Sequence, residues 1–236
     1  MNSVVNPMYP VELSNGICSL NPETDRLAMS AEMEINSKGK VVDYDLFESV
    51  IHSRKQMTYE NVNKILDENI IPEGYEEFAD ALKLMHELAK ILRAEKISRG
   101  YIDFGIDEAK VIQDEKGKAI DIVKRVQGTG EKLIEDFMIA ANETVAGFVE
   151  DKKLPGIYRV HDKPNKDKLQ VFLKFLNLKG YNLKADINKF KATDYQRLLK
   201  MLKGSPEEVI LNTLAIQTMA KAFEMKDFDL TGKVAW

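Results

Sequence analysis

The sequence predicts an α+β fold: antiparallel strands and hairpins packed with several helices, strands mostly early and helices late. Two patterns carry this. Leu27, Met29, Ala31, Met33 and Ile35 alternate with mostly polar or small residues, the period of a half-buried strand. Phe78, Leu82, Met85, Leu88, Ile91 and Leu92 recur instead at helical spacing. No internal repeat, low-complexity run or obvious linker breaks the 236 residues, so a single domain over 1–236 is expected.

Taken in order, residues 11–24 read as loop and turn, through Leu13-Ser14-Asn15-Gly16 and Asn21-Pro22-Glu23-Thr24. Ser37-Lys38-Gly39-Lys40 is a turn, and a second strand from Val41 to His52 completes an antiparallel hairpin. Thr58 caps a short helix over Tyr59–Glu68. Pro72 and Gly74 interrupt, and a long helix then runs from about Tyr75 to Ser98, with Gly100 as its stop. Ile102, Phe104 and Ile106 alternate like a short strand. Glu115-Lys116-Gly117-Lys118 is a hairpin turn leading to Ile120, Ile122 and Val126. The helical period returns from Glu131 to Glu150, Pro155-Gly156 ends it, and Ile157–Val160 reads as a strand. Helices follow at about Asn165–Leu178, Thr193–Lys203 and Pro206–Phe223, the last with a capping box of Ser205 and Glu208. Asp227–Trp236 gives no clear signal.

A hydrophobic fraction of 44% is enough to bury a core. No stretch of about 18 apolar residues occurs, so no membrane partner is expected. Met1–Pro10 holds no signal core, and the single cysteine, Cys18, excludes an intrachain disulfide. The simplest compartment is the reducing cytoplasm. A net charge of −4 does not mark a nucleic-acid binder. Lysine and arginine nevertheless outnumber acids from Lys152 to Lys203, and such a strip either tracks a phosphate backbone or is a solvated face.

The residue types alone show no phosphate-binding glycine loop and no HExxH or CxxC pattern. His52, His86 and His161 are scattered, which argues against zinc. Strand alternation puts Asp43 and Asp45 on one face and Glu48 on the other, so no dense carboxylate cluster for two metals is expected.

Five strings then stand in order: Pro7-Met8-Tyr9-Pro10 with Leu13 through Pro22; Arg54 through Tyr59; Arg99-Gly100-Tyr101-Ile102-Asp103-Phe104; Leu133 through Asn142; and Tyr158-Arg159-Val160-His161-Asp162-Lys163-Pro164. Together they resemble the catalytic (RNB) domain of the ribonuclease II and ribonuclease R family, nearer its ribonuclease R branch. The resemblance spans about 7–222 and leaves 223–236 as a divergent tail. It implies a partial RNB-type fold and a 3′-to-5′ exoribonuclease, a hydrolase releasing nucleoside 5′-monophosphates from single-stranded RNA at a magnesium site.

The resemblance also implies roles. Phe104 matches a phenylalanine that stacks on bases near the RNA 3′ end; read by itself it is a core aromatic of a strand. Stacking grips without reading sequence, because every base has a π-face. Tyr59 and Glu135 match a pair that recognises ribose, and a phenol and a carboxylate can both bond a 2′-hydroxyl. Read alone, they are a helix-start aromatic and an exposed helix acid. Arg159, His161 and Lys163 sit in the fifth string and either meet RNA phosphates or form a charged turn before Pro164.

The family's catalytic aspartates lie upstream of the first string, which here begins at residue 7, and Ser3-Val4-Val5 is at most a stub of that region. Downstream, Met219-Ala220-Lys221-Ala222 fits the family, Gln217 stands where arginine is usual, and the arginine-bearing string beyond does not follow. The expectation is a fragment with RNA-channel residues but neither catalytic residues nor metal ligands, inactive by itself. It would come from a truncated gene or belong with the missing part of a split ribonuclease. The alternative is an inactive single-stranded RNA-binding or protein-interaction module. Either way, exposed apolar surface and unpaired strand edges are expected where neighbouring strands are missing.

Overall fold

The computed structural model describes residues 7–104, 108–114, 117–161, 163–219, 222–226 and 234–235; for 108, 110, 157–161, 222–226 and 234–235 it describes the backbone alone. Contacts divide the chain into two compact units, residues 1–95 with 107–145 and residues 96–106 with 146–236.

In the first unit, β1 (Asp25–Ile35) and β2 (Val41–His52) form the expected antiparallel hairpin, in register from Asp25 opposite His52 to Glu34 opposite Asp43. Asn36 shapes its turn by accepting the Lys38 and Lys40 amides at 2.9 and 3.1 Å. Gly39 is at φ +78°, and a Cβ there would lie 2.8 Å from the Ile91 carbonyl, so only glycine lets the turn approach that helix. The alternation holds as strand geometry, and in burial it holds toward the turn, where Ala31, Met33 and Ile35 are half-buried and Glu32 and Glu34 exposed, but not at the other end. Leu27 and Met29 are 87% and 74% exposed, and Val50, opposite Leu27, is exposed too. Among the described residues the sheet has two strands, and at that end the other face is the better covered: Arg26, Ala28 and Ser30 are half-buried.

α1 (Tyr59–Asp67) starts at Thr58, whose hydroxyl accepts the Asn61 amide. It buries Val62 and Ile65 against Tyr75, Ala79 and Leu82. α2 (Ala79–Arg99) begins later than its apolar period suggests, after a short 3-10 turn over Glu76–Phe78. Tyr75 is buried there instead of opening the helix. β3 (Glu108–Gln113) and β4 (Ala119–Arg125) form a second hairpin, and α3 (Thr129–Asp151) follows.

In the second unit, β5 (Ile157–His161) is the middle strand of three, between β6 (Ala222–Lys226) and β7 (Val234–Ala235). α4 (Lys166–Leu178), α5 (Ala192–Leu202) and α6 (Glu208–Thr218) enclose Leu169, Phe172, Leu176, Tyr195, Leu198 and Leu202. Among the described residues, no helix is long and apolar enough to cross a membrane.

Four expectations are corrected. Glu12–Ile17 is not loop but one wide helical turn, closed by the Cys18 amide on the Leu13 carbonyl. Ile102 and Phe104 lie outside any strand, and Ile106 falls outside the described residues. Side chains take the Tyr101 and Phe104 carbonyls, so these are not available to a ladder. The last helix ends at Thr218 instead of running to Phe223, because Ala222–Lys226 pairs with β5. Its capping box does not form: the Glu208 carboxylate accepts the Gly204 amide, and Ser205 Oγ is buried without a partner in the structure.

Candidate functional site

Tyr59 is the first residue of α1 and is 46% exposed. Its helix start is anchored from beneath. The Tyr75 phenol accepts the Thr58 amide at 3.2 Å and the Asn61 side chain at 3.4 Å, while Lys55 Nζ sits 4.5 Å from the Tyr75 ring centroid. Burial alone would raise that phenol's pKa, but the Asn61 and Thr58 hydrogen bonds, with the Lys55 charge, outweigh it and bring it below the usual value.

Glu135 is half-buried on α3. Side chains from α1 cap the N-terminus of this helix. Asn63 Oδ1 accepts the Gly130 amide at 2.6 Å, and Asp67 accepts both the Thr129 amide, at 3.4 Å, and the Thr129 hydroxyl. Those amides have no partner within the helix, and its positive end favours the Asp67 carboxylate. Glu131 closes the joint by accepting from Asn63 Nδ2 at 3.0 Å and from the Gly128 amide at 3.1 Å. On its other side α3 is held by Arg93, whose Nε donates to the buried Asp136 at 2.8 Å and whose guanidinium reaches the Lys132 carbonyl.

The order of these contacts matters. Asp67 meets Thr129, and Asn63, one turn earlier on α1, meets Gly130 and Glu131. Tyr59 lies one further turn back on the face of Asn63 and Asp67, and Glu135 one turn on from Glu131.

Phe104 belongs to the second unit. It is half-buried against the helical core, with its ring edge-on to Tyr195 at 6.2 Å between centroids. Phe190 contacts the same tyrosine at 4.9 Å, and the Tyr195 hydroxyl is bonded to Thr218 Oγ1 at 2.5 Å. Burial raises the Tyr195 phenol above its usual pKa, with the Thr218 bond opposing. Gln196 Nε2 donates to the Ile97 and Tyr101 carbonyls, both at 2.8 Å, and Asn212 Nδ2 reaches the Phe104 carbonyl at 3.4 Å.

Lys163 is exposed. The side chains of Arg159 and His161 lie outside the described residues; their backbones pair with Glu224 and Ala222 in the sheet. An open apolar groove between α4 and α6, lined by Val171, Phe172, Phe175 and Leu214, has Gln217 at its lining but none of the candidate RNA-binding residues. Among the described residues, no three His, Cys, Asp or Glu side chains come together as a metal site. Sequence reasoning missed Asn63, Asp67, Glu131 and Gln196. The one available signal was Gly128-Thr129-Gly130 ahead of a helical period, two glycines where another element comes close.

The RNB domain family model matches residues 1–229. The chain belongs to the RNB domain family. Among its RNB relatives, Ribonuclease R 1 of Lactococcus lactis is 44% identical over 220 residues, covering 92% of this chain and 27% of that protein. Ribonuclease R of Thermotoga maritima is also 44% identical, over 92% of this chain and 31% of that protein. RNase R of Mycoplasma genitalium, solved with double-stranded RNA, superposes with a TM-score of 0.87 at 30% identity, over 93% of this chain and 39% of that one. The same protein has been solved with ribose methylated single-stranded RNA. The chain thus spans about a third of the length of these RNB proteins.

Proposed function

We propose that this chain is the RNA-holding part of a ribonuclease R-type 3′-to-5′ exoribonuclease. Tyr59 and Glu135 recognise the ribose 2′-hydroxyl, and Phe104 stacks on a base. The observation that carries the ribose reading is the α1–α3 joint. Its contacts run in opposite order along the two helices, and continuing that order by one turn leads to Tyr59 on one helix and Glu135 on the other. A phenol donates and accepts, a carboxylate accepts, and a 2′-hydroxyl can answer both. A deoxyribose can form neither of these bonds, which is the physical basis for preferring RNA.

Phe104 supports the reading differently. It is held by its carbonyl and by one ring edge, and it keeps part of its surface open. A ring held this way loses little freedom when a base stacks on it. Lys163, Arg159 and His161 are proposed to supply charge to phosphates. This chain is assigned the holding of RNA, and none of its residues is assigned to the family's magnesium.

The test is fluorescence anisotropy with a labelled single-stranded RNA. Phe104→Ala is expected to weaken binding about tenfold, within the roughly 1–3 kcal/mol that one base stack contributes. Unchanged affinity would remove the reading of Phe104. Incubation with magnesium and a 3′-overhang RNA is expected to release no nucleotides. Release that EDTA abolishes would show that the chain hydrolyses RNA by itself.

A further inference from the structure

The joint between α1 and α3 contains more than two packed helices require. Asn63 uses both ends of its amide, Nδ2 to Glu131 at 3.0 Å and Oδ1 from the Gly130 amide at 2.6 Å. The backbone closes around that amide. A Cβ on Gly128 would stand 2.2 Å from Nδ2, and one on Gly130 would stand 3.0 Å from Oδ1. An apolar contact tolerates sliding, whereas a donor and an acceptor on one planar amide accept a single alignment. The site therefore fixes a register between the helices.

We infer that Asn63 is a positioning residue that sets the spacing of Tyr59 and Glu135, and thereby the discrimination of RNA from DNA. This rests on reading that pair as the 2′-hydroxyl recogniser. Asn63 itself touches no RNA; it acts through the register. The lever is short and sensitive. A tilt of about 10° at Asn63 displaces Tyr59 by about 1 Å over one helical turn of roughly 5.4 Å. That is enough to carry a hydrogen bond of about 2.8 Å beyond its useful range.

The experiment measures the ratio of affinities for a single-stranded RNA and the DNA of the same sequence, at one salt concentration. Tyr59→Phe is expected to lower the ratio about fivefold, the weight of one hydrogen bond. Asn63→Asp sets a carboxylate against Glu131 and is expected to lower it by a similar factor. Adding Glu131→Gln to Asn63→Asp restores a donor facing an acceptor and is expected to return the ratio to within about twofold of the starting protein. Thermal melts of each variant report folding separately. Should Asn63→Asp fail to fold, Asn63→Ser is expected to lower the ratio about twofold, because it keeps only part of the joint.

If Tyr59→Phe leaves the ratio unchanged, the reading of the pair falls and the inference falls with it. If Tyr59→Phe lowers the ratio but neither substitution at Asn63 does, the inference alone is overturned. A loss of melting temperature without a change in ratio has the same meaning, as does an equal loss of RNA and DNA affinity.

Discussion

Two helix junctions, one in each unit, are held by different physics. In the second, α4, α5 and α6 meet through side chains removed from water: Leu176, Leu198, Leu202 and Leu211 are all 0% exposed. In the first, α1 meets the start of α3 through Asn63, Asp67 and Glu131, which satisfy backbone amides that the helix itself leaves unpaired. Apolar burial is roughly proportional to area and indifferent to direction, so it supplies stability. A two-ended amide contributes less, but it is directional and specifies one alignment. The unit with the hydrogen-bonded joint is the one that carries Tyr59 and Glu135.

The contrast can be broken deliberately. Leu198→Ala leaves a hole in the apolar core and is expected to cost about 3 kcal/mol in urea denaturation, with no change in the RNA-to-DNA affinity ratio. A cost below about 1 kcal/mol would mean that the core collapses around the gap. Gly128→Ala pushes a methyl into the Asn63 amide and is expected to cost about 2 kcal/mol. Most of that should vanish in an Asn63→Ala background, where the clash is gone. Additive costs would show that Gly128 matters for another reason.

The smallest expected effect is at the foot of the first hairpin. His52 Nδ1 lies 2.7 Å from Asp25 Oδ1, and Nε2 lies 3.6 Å from Glu23. The Asp25 hydrogen bond raises the imidazole pKa above its ordinary 6.5, against a smaller desolvation effect and with Glu23 adding to the rise. Because the folded value is the higher one, this contact stabilises fully below about pH 6.5 and fades as pH climbs through the folded value. His52→Gln should flatten that part of a stability–pH profile while leaving the plateau above it in place. An unaltered profile would assign the pH dependence to other groups.

Much of the fold was legible because local chemistry and tertiary packing agree. The hairpin turn at Ser37–Lys40, the Thr58 cap and the Gly100 stop each follow from residues within a few positions, and the structure has all three. The errors fall where a distant partner overrides a local pattern. Ile102 and Phe104 alternate like a strand, yet Gln196 and Asn212, far along the chain, take the backbone carbonyls of that segment. Ser205 and Glu208 have capping-box spacing, yet the carboxylate prefers the Gly204 amide. Among the candidate residues, Tyr59, Glu135 and Phe104 came from resemblance and not from any pattern of their own. Their supports, Asn63 and Gln196, look like ordinary helix-surface amides until the neighbouring element is in place.

Gly100 has a φ of +110°, and a Cβ there would lie 3.1 Å from that of Ala192. The bend that leads the chain from α2 toward Phe104 therefore depends on the smallness of a residue at the start of α5. Position 100 is thus closed to other residues twice over, once by its own backbone angle and once by a methyl that lies 92 residues further along the chain.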